Sequence, residues 1–232
     1  MRNIITACMT IIFLFIITFI ILNIYKWKVD SYHTKEQITE IKKIIDNPIK
    51  KKFIDLDNLS KKNKDTLGYI IVNNTNINYP FVKTDNNDYY LDHSFNKKKN
   101  DAGWIFMDYR NNINDKNIIL YGHDRKDNTM FGTLKYTLKK DWQKDKANHI
   151  ITLFISNEKR LYQVFSTYTI KTENYYITTD FKKNSFSKFI KTIKNRSNYN
   201  YDVEVNENDN ILTLSSCYTE KEKVVLHAKL LK

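Results

Sequence analysis

Glycine, proline and cysteine are all scarce in this sequence, and each shortage excludes a class of protein. Only 4 glycines and 2 prolines occur among the 232 residues, which excludes a collagen-like or low-complexity chain. The two cysteines are Cys8 and Cys217, and Cys8 lies inside an apolar N-terminal run, where it cannot pair with a cysteine of a soluble domain. A disulfide-bonded framework is therefore excluded.

Aromatic residues are abundant by contrast, and β-branched residues are common. The sequence is 41% hydrophobic and 14% aromatic, which is enough to build a packed core and argues against disorder. Residues of these types favour strands over helices. The length suits one membrane segment followed by one domain of ordinary size.

The basic charge does not identify a partner. The formal net charge is +12, but the lysines are scattered in small clusters rather than arranged in a stripe with interleaved aromatic residues. No nucleic-acid-binding motif is present. The charge therefore predicts a solvated, lysine-rich surface, with no nucleic acid among the partners.

Residues 1–28 are predicted to form a membrane anchor. Ile4 to Leu22 is almost wholly apolar, and as a helix it would span about 28 Å, close to the hydrocarbon thickness of a bilayer. A signal peptide is the alternative, but no small-residue cleavage site follows the run. Only Arg2 and the N-terminal amine precede the run, whereas Lys26 and Lys28 follow it, so charge asymmetry alone leans against an external domain.

Residues 29–65 are predicted to form a helical stalk and a linker. Val29 to Ile45 carries isoleucines at helical spacing with charges between them, which indicates an amphipathic helix. Asn47 and Pro48 are expected to end that helix. Lys50 to Asp65 is predicted to be a polar connection.

Residues 66–232 are predicted to form one mostly β domain. Short apolar segments separated by turn residues indicate about eight strands, with a short helix at Thr129–Lys140 and a longer helix at Phe181–Ile193. This pattern favours a closed or nearly closed β-barrel. The predicted strands are Gly68–Val72, Ile77–Val82, Gly103–Met107, Asn117–Tyr121, His149–Ile155, Leu161–Ile170 and two within Ile211–Leu230.

Cys217 is a candidate nucleophile, because it lies where the first strand of Ile211–Leu230 ends, beside a polar loop. Nucleophilic catalysis by a thiol needs a nearby acid and base and a group that stabilises the oxyanion. Among five histidines, His123 is the best partner because it follows an apolar strand through Gly122, whereas the side chain of His227 in the final strand can point away. A buried structural cysteine remains the alternative for Cys217.

A zinc site is the other reading of a cysteine accompanied by histidines. Neither C-x-x-C nor H-x-x-x-H spacing occurs in the sequence. The sequence therefore predicts no metal, and nothing in it calls for another cofactor.

Several short motifs occur together across the soluble region, and with them the chain resembles class B sortases. The resemblance implies an eight-stranded sortase-type β-barrel with N-terminal helices and a helix before the last two strands. It also implies an enzyme tethered by a single N-terminal span, with its catalytic domain outside a Gram-positive cell. The motifs are GYIIVNNTNINYPFV, YYLDHSF, AGWIFMDYRN, NIILYGH, NTMFGTL, NYYITTDF, TLSSC and VVLHAKL.

The resemblance also implies a reaction and its partners. Cys217 would attack the threonine carbonyl in the C-terminal sorting signal of a secreted protein, either Asn-Pro-x-Thr-Asn-like or Pro-x-Thr-Gly-like, and form a thioester. His123 would protonate the leaving amine and then deprotonate an amine of a peptidoglycan precursor. The positions that match the family's substrate groove are Asn87, Leu91, Thr172, Tyr176 and Ile177.

One position departs from the family pattern. An arginine is usual at the start of the last strand, and here Lys223 occupies that place, after a shortened loop. Lysine keeps the charge but lacks the planar fork of arginine, and losing one transition-state donor costs on the order of 3 kcal/mol. Three outcomes stay open: Lys223 acts at a reduced rate, Arg125 substitutes for it, or the chain is a weak or inactive module that binds sorting signals or wall polymer. A basic surface adhesin, in which Cys217 is dispensable, is a further alternative.

Overall fold

The computed structural model of the chain describes residues 2–45, 54–156, 158–182, 185–217 and 221–231, and at Cys217 it describes the backbone alone. The helix end predicted at Asn47 and Pro48 lies outside these residues. The predicted division of the chain at residues 28 and 65 stays a prediction.

Eight strands of the described residues form a closed barrel, as the sequence predicted. Their spatial order is β1-β2-β3-β4-β7-β8-β6-β5. The pairs β2–β3 and β4–β7 are parallel, and the other neighbouring pairs are antiparallel. The strands are β1 (Thr66–Val72), β2 (Asn78–Val82), β3 (Phe106–Met107), β4 (Asn117–Tyr121), β5 (Ile150–Ile155), β6 (Glu158–Lys171), β7 (Ile211–Cys217) and β8 (Glu222–Leu230).

β3 is shorter than the strand predicted at Gly103–Met107. Gly103 has a φ of +59°, outside the region that strands occupy, so pairing begins only at Phe106. The prediction was wrong at this end because periodicity cannot reveal a left-handed residue. The backbone turn at Gly103 becomes important at the candidate site.

The barrel interior is filled by aromatic and branched side chains. Tyr69, Phe81, Trp104, Phe131 and Phe165 are all almost completely buried. Burying a side chain of this size contributes about 1.5–3 kcal/mol to stability. The high aromatic content of the sequence is thus used in one continuous core.

α4 (Ser185–Asn195) precedes the last two strands, and its apolar face packs on the barrel as its spacing predicted. Phe186, Phe189, Ile190 and Ile193 are buried, while Phe181 lies before the helix and packs its ring on Phe186 and Phe189. This element packs beside β6, where Ser166 Oγ donates to the Ile193 carbonyl at 2.6 Å.

The other helices differ from prediction in their bounds. α1 (Arg2–Ile45) is one continuous helix across the predicted anchor and stalk, and it is long and apolar enough to cross a membrane. α2 (Leu56–Lys62) lies in the predicted polar connection, where Asp55 caps it through the Asn58 amide at 2.9 Å. Thr129–Lys140 holds a short 3₁₀ helix at Leu134–Leu138, and α3 (Lys140–Lys144) follows.

Candidate active site

The parallel pairing of β4 with β7 brings two strand ends to the same edge of the barrel. Tyr121 lies opposite Ser215 in this register, so the segment Gly122–His123 leaves the sheet beside Ser216 and Cys217. The antiparallel β8 begins at the same edge, where Lys223 pairs with Cys217. The chain after β4, which carries His123, and the β7–β8 hairpin, which carries Cys217 and Lys223, therefore meet at one rim.

A cavity of about 330 Å³ opens at this rim, and we call it the strand-end cavity. It brings together every predicted site residue whose side chain the structure describes: Asn87, Leu91, His123, Thr172, Tyr176, Ile177 and Lys223. Eight further residues complete its lining: Asp88, Phe106, Tyr121, Gly122, Glu173, Asn174, Ser215 and Ser216. The backbone of Cys217 directly follows Ser216, and its side chain is outside the described residues.

The imidazole of His123 is held from two directions. Its Nε2 lies 2.6 Å from the carbonyl oxygen of Leu91. A carbonyl only accepts hydrogen bonds, so Nε2 carries the proton and Nδ1 holds the lone pair in the neutral ring. Gly103 supports the ring closely, because a Cβ at that position would lie 2.9 Å from His123 Cδ2 and 2.5 Å from the Tyr90 oxygen.

The segment from Thr172 to Ile177 forms one wall of the strand-end cavity. The hydroxyl of the buried Tyr176 lies 3.0 Å from Ser215 Oγ, which ties the wall to β7. Arg110 Nη2 donates to the Ile177 carbonyl at 3.1 Å and ties the same wall to the loop after β3. The C-terminal end of the wall is therefore fixed both to β7 and to the loop after β3.

A buried carboxylate organises the loop that carries Arg110. Asp108 accepts from Arg110 Nε at 2.9 Å and from the hydroxyl of Tyr121 at 2.8 Å. Burial would raise the pKa of Asp108, but the hydrogen bonds from Arg110 and Tyr121 outweigh it and leave that pKa below its usual value. Burial and the Asp108 carboxylate raise the pKa of Tyr121, so its hydroxyl stays a donor at neutral pH. Asn87, across the cavity, is fixed by a hydrogen bond from the Tyr109 amide to its Oδ1 at 3.0 Å.

Lys223 and Arg125 have different surroundings. Lys223 lines the strand-end cavity. Arg125 is buried and absent from that lining, since its Nη2 donates to Ser31 Oγ of α1 at 2.7 Å and pairs with Asp127 at 3.3 Å. This geometry favours Lys223 over Arg125 as the cation available to the cavity.

His227 is a residue of the core. It is completely buried on β8, with Nδ1 2.8 Å from Thr213 Oγ1 and Nε2 2.8 Å from the Tyr168 hydroxyl. Burial, with a smaller contribution from the charge of Arg196, lowers the pKa of His227 to about 3. Its ring is therefore neutral and shielded from solvent.

In the described part of the chain, the other histidines and the acidic residues do not combine into a metal site. His149 is buried against the Gln143 carbonyl, and His33 is exposed on α1. Among the residues that the structure describes, no group of three or more His, Cys, Asp or Glu side chains is arranged to hold a metal ion.

Sequence reasoning missed several residues of the cavity, although two of them lay within reach. Tyr121 and Ser215 lie within the motifs NIILYGH and TLSSC, and they are register partners in the parallel β4–β7 pair. Phe106 also lines the cavity, but its segment GWIFM predicts only a strand. Strand pairing was the missing information in each case.

The sequence profile of the Sortase domain family matches residues 70–231. The chain belongs to the sortase family. Sortase B of Listeria monocytogenes is 37% identical over 183 residues, which cover 76% of this chain and 74% of that protein. Sortase B of Staphylococcus aureus is 38% identical over 183 residues, with the same coverage of 76% and 74%.

The fold of this sortase agrees with solved class B structures. The Staphylococcus aureus sortase B–substrate complex superposes with a TM-score of 0.77 at 33% identity, covering 88% of this chain and 97% of that chain. Both kinds of relative assign the chain to class B, and thus to the cysteine transpeptidases.

Proposed function

We propose that this sortase cleaves the C-terminal sorting signal of a secreted protein after threonine and joins the new carboxyl end to an amine of a peptidoglycan precursor. The observation that carries the proposal is the parallel β4–β7 pair, which brings His123 to the strand end that bears Cys217. A histidine beside a cysteine, at the mouth of a cavity, is the arrangement that acyl transfer through a thioester requires.

The proposed reaction has two steps. The Cys217 thiolate attacks the threonine carbonyl, the amide C–N bond breaks, and protonated His123 gives its proton to the leaving amine. An incoming amine then attacks the thioester, the C–S bond breaks, and His123 accepts the proton that the amine loses. The enzyme returns to its starting protonation state, and the product is an amide.

The strand-end cavity fits an extended peptide of mixed polarity. Leu91, Phe106 and Ile177 offer apolar surface, and the polar side chains of Asn87 and Thr172 lie at the same lining. The related sortase B of Staphylococcus aureus has been solved in complex with a substrate, and this supports the assignment of the strand-end cavity as a substrate groove. An Asn-Pro-x-Thr-Asn-like or Pro-x-Thr-Gly-like signal would set its prolyl ring on the apolar surface.

Lys223 is proposed to stabilise the oxyanion. Its backbone pairs with Cys217, and its side chain lines the cavity, so its positive charge lies near the developing negative charge. An ammonium group makes fewer fixed hydrogen bonds than a guanidinium fork, so the rate should be lower than with arginine.

α1 is proposed to anchor the enzyme in the cell membrane with the barrel outside the cell. The apolar part of the helix is exposed on all sides in the described chain, and Tyr25 and Trp27 follow it as interfacial aromatics do. A single span would keep the cavity near the wall precursors that carry the accepting amine.

A sortase-like module that binds sorting signals or wall polymer without turnover is the second candidate. The presence of Lys223 where the family carries arginine, after a shortened loop, favours it. The strand-end cavity would serve binding in either case.

Peptide cleavage separates the two candidates. The full chain in detergent is given fluorogenic peptides carrying an Asn-Pro-x-Thr-Asn or a Pro-x-Thr-Gly signal, together with a primary amine. We expect cleavage of at least one peptide and formation of the amide product, both abolished in Cys217→Ala. Saturable binding of both peptides without cleavage would contradict the enzyme and favour the binding module.

A further inference from the structure

Three consecutive residues after β3 contact two separate walls of the strand-end cavity, and we call these residues, Asp108–Arg110, the bridging loop. The Tyr109 amide donates to Asn87 Oδ1 at 3.0 Å, and Arg110 Nη2 donates to the Ile177 carbonyl at 3.1 Å. Asn87 and Ile177 both line the cavity, but Asn87 comes before β3 in the chain and Ile177 comes after β6. The bridging loop therefore joins two distant segments of the lining.

The Asp108 carboxylate holds the bridging loop in shape. Arg110 donates to it through Nε at 2.9 Å and through Nη2 at 2.7 Å, so the guanidinium makes a two-pronged contact. Nη2 carries two hydrogens, and it uses one for Asp108 and the other for Ile177. Because the Asp108 side chain is completely buried, salt screens this ion pair less than it screens a surface pair.

The same carboxylate also fixes the end of β4. The hydroxyl of Tyr121 donates to Asp108 at 2.8 Å, and Tyr121 lies two residues before His123. The Tyr121 ring lines the cavity and packs on Phe106, with ring centres 5.3 Å apart. One buried carboxylate thus places the bridging loop relative to the strand that leads to the proposed acid–base residue.

The bond from the bridging loop also determines which way the Asn87 amide faces. A backbone N–H only donates, so the atom that it contacts must be the oxygen Oδ1. Nδ2 is then the group that Asn87 can offer a ligand, and it can donate to a carbonyl of a bound peptide. The Ile177 side chain supplies apolar surface on the other wall.

The Thr172–Ile177 wall has further attachments, but these do not reach the other wall. Tyr176 bonds to Ser215 at 3.0 Å, and Asn117 Nδ2 donates to the Thr178 carbonyl at 2.9 Å. Ser215 and Asn117 lie in β7 and β4, so these bonds fix the wall to the barrel. The bridging loop adds a connection from this wall to the segment on the other side.

Holding both walls before a ligand arrives lowers the cost of binding. An extended peptide would otherwise have to order each segment itself, and ordering loops and side chains is a main cost of association. Support matters for the wall after β6, because Tyr176 is the only fully buried residue among the described residues 172–182. Arg110 gives this support from outside the described lining of the cavity.

We propose that Arg110 and Asp108 are positioning residues for the sorting signal, and that their ion pair sets the separation of the walls that carry Asn87 and Ile177. This inference rests on the proposed function. An extended peptide binds between the two walls without having to order them first. Neither positioning residue contacts the bonds that change, so both act on the affinity for the peptide and not on the rate of thioester formation.

Arg110→Gln tests the bridging loop, because glutamine is uncharged and cannot bond to Asp108 and Ile177 together. Anisotropy of labelled Asn-Pro-x-Thr-Asn and Pro-x-Thr-Gly peptides gives the Kd for the full chain in detergent, in the Cys217→Ala background. Arg110→Gln should raise the Kd of the better peptide about tenfold, while thioester formation at saturating peptide, measured with Cys217 present, stays within about threefold. Arg110→Lys should give an intermediate Kd, because an ammonium group keeps the charge without the fork.

Arg160→Gln is the matched control. Arg160 also pairs with a carboxylate, that of Glu158, and donates to a loop carbonyl, that of Ile113, but it lies outside the described lining of the cavity. Both variants should lower the Tm, since each removes a charged contact between a strand or loop and its neighbour. Only the change at Arg110 should weaken peptide binding.

The outcomes separate this inference from the function on which it rests. Equal Kd values for Arg110→Gln and Arg160→Gln would show that the bridging loop does not position the walls, although thioester formation stands. A loss confined to the rate of thioester formation, with Kd unchanged, would also overturn the positioning role. A wild-type chain that binds the peptides but forms no thioester would overturn the proposed function and leave the comparison of Kd values valid. Binding of neither peptide by the wild-type background would overturn both.

Discussion

His123 and His227 lie close to the same strand, β7, but in opposite surroundings. His227 bonds to Thr213 within β7 and is completely buried, with a hydroxyl on each ring nitrogen. His123 lies at the end of the neighbouring β4 and is half-buried, with a carbonyl on Nε2. The ring of His227, with both nitrogens hydrogen-bonded in the core, has a structural role. The ring of His123 at the rim remains accessible to a ligand.

This contrast shows how burial gives two histidines different roles. Desolvation holds His227 neutral and makes protonation costly, which suits a packing residue. The position of His123 beside the open strand-end cavity suits a group that exchanges protons with a substrate. The proposed roles can be separated because one histidine should control rate and the other stability.

Removing the imidazole at the rim should have the largest effect. His123→Ala should lower kcat/KM for the sorting peptide by about 10³-fold, within the range expected for general acid–base catalysis. Peptide cleavage followed by fluorescence measures the loss. The matched variant His227→Gln should lower the Tm yet keep kcat/KM within about threefold where it is folded, and equal losses in both variants would erase the distinction.

The second largest effect should be a loss of stability at low pH that depends on the buried His227. The folded-state pKa of His227, about 3, lies below its ordinary value of 6.5, so between those limits the unfolded chain takes up a proton that the folded chain does not. His227 should therefore cost up to about 1.4 kcal/mol of unfolding free energy for each unit that the pH falls. Urea unfolding of the full chain in detergent, at pH 6 and pH 4, should show a steeper loss for wild type than for His227→Gln. Parallel losses in the two proteins would contradict a neutral, sealed imidazole.

Gly103 should matter through its contact with His123. In Gly103→Ala the new Cβ would meet the Tyr90 and Leu91 oxygens at 2.5 and 2.8 Å and the His123 ring at 2.9 Å, at a φ of +59°. Displacing the ring by a fraction of an ångström should reduce kcat roughly 30-fold. The control is Gly68→Ala on β1, where the new Cβ would meet Phe81 and Phe154, so stability alone should fall. A kcat equal to that of Gly68→Ala, measured on folded protein, would show that Gly103 does not position the histidine.

Lys223 should give the smallest change. Lys223→Arg should raise kcat roughly fivefold, because the guanidinium fork offers fixed donors to the oxyanion, and Lys223→Ala should lower it. Steady-state cleavage of the sorting peptide measures both. Lys221→Arg, at an exposed position two residues earlier, is the control for replacing an ammonium group by a guanidinium group near the site. No response to either change at Lys223 would remove it from the proposed machinery.

Local patterns in the sequence predicted the barrel well, and the site in part. Alternation and turn residues located most strands, and the apolar strand before Gly122 led correctly to the rim where His123 lies. Gly103 was missed because a positive φ leaves no periodic signal. The predicted anchor and stalk form one continuous helix because the polar residues after Leu22 continue it while they bond to the loops of the barrel.

Contacts between distant residues account for the rest. The Ser31–Asp127 hydrogen bond joins residues 96 positions apart, and the Tyr176–Ser215 bond joins residues 39 apart. The first pair follows from the docking of α1, and the second from the packing of the segment after β6 against β7. Local spacing in the sequence indicates neither contact. The contact between α1 and the loop after β4 therefore became visible only in three dimensions.

Intact-mass spectrometry of the full chain mixed with a sorting peptide tests most directly whether Cys217 is the nucleophile. The proposed mechanism predicts an adduct with the mass of the peptide fragment that ends in threonine, located on Cys217 and released by hydroxylamine. The adduct should be absent from Cys217→Ala. A chain that binds the Asn-Pro-x-Thr-Asn and Pro-x-Thr-Gly peptides intact and stays unmodified would contradict the mechanism.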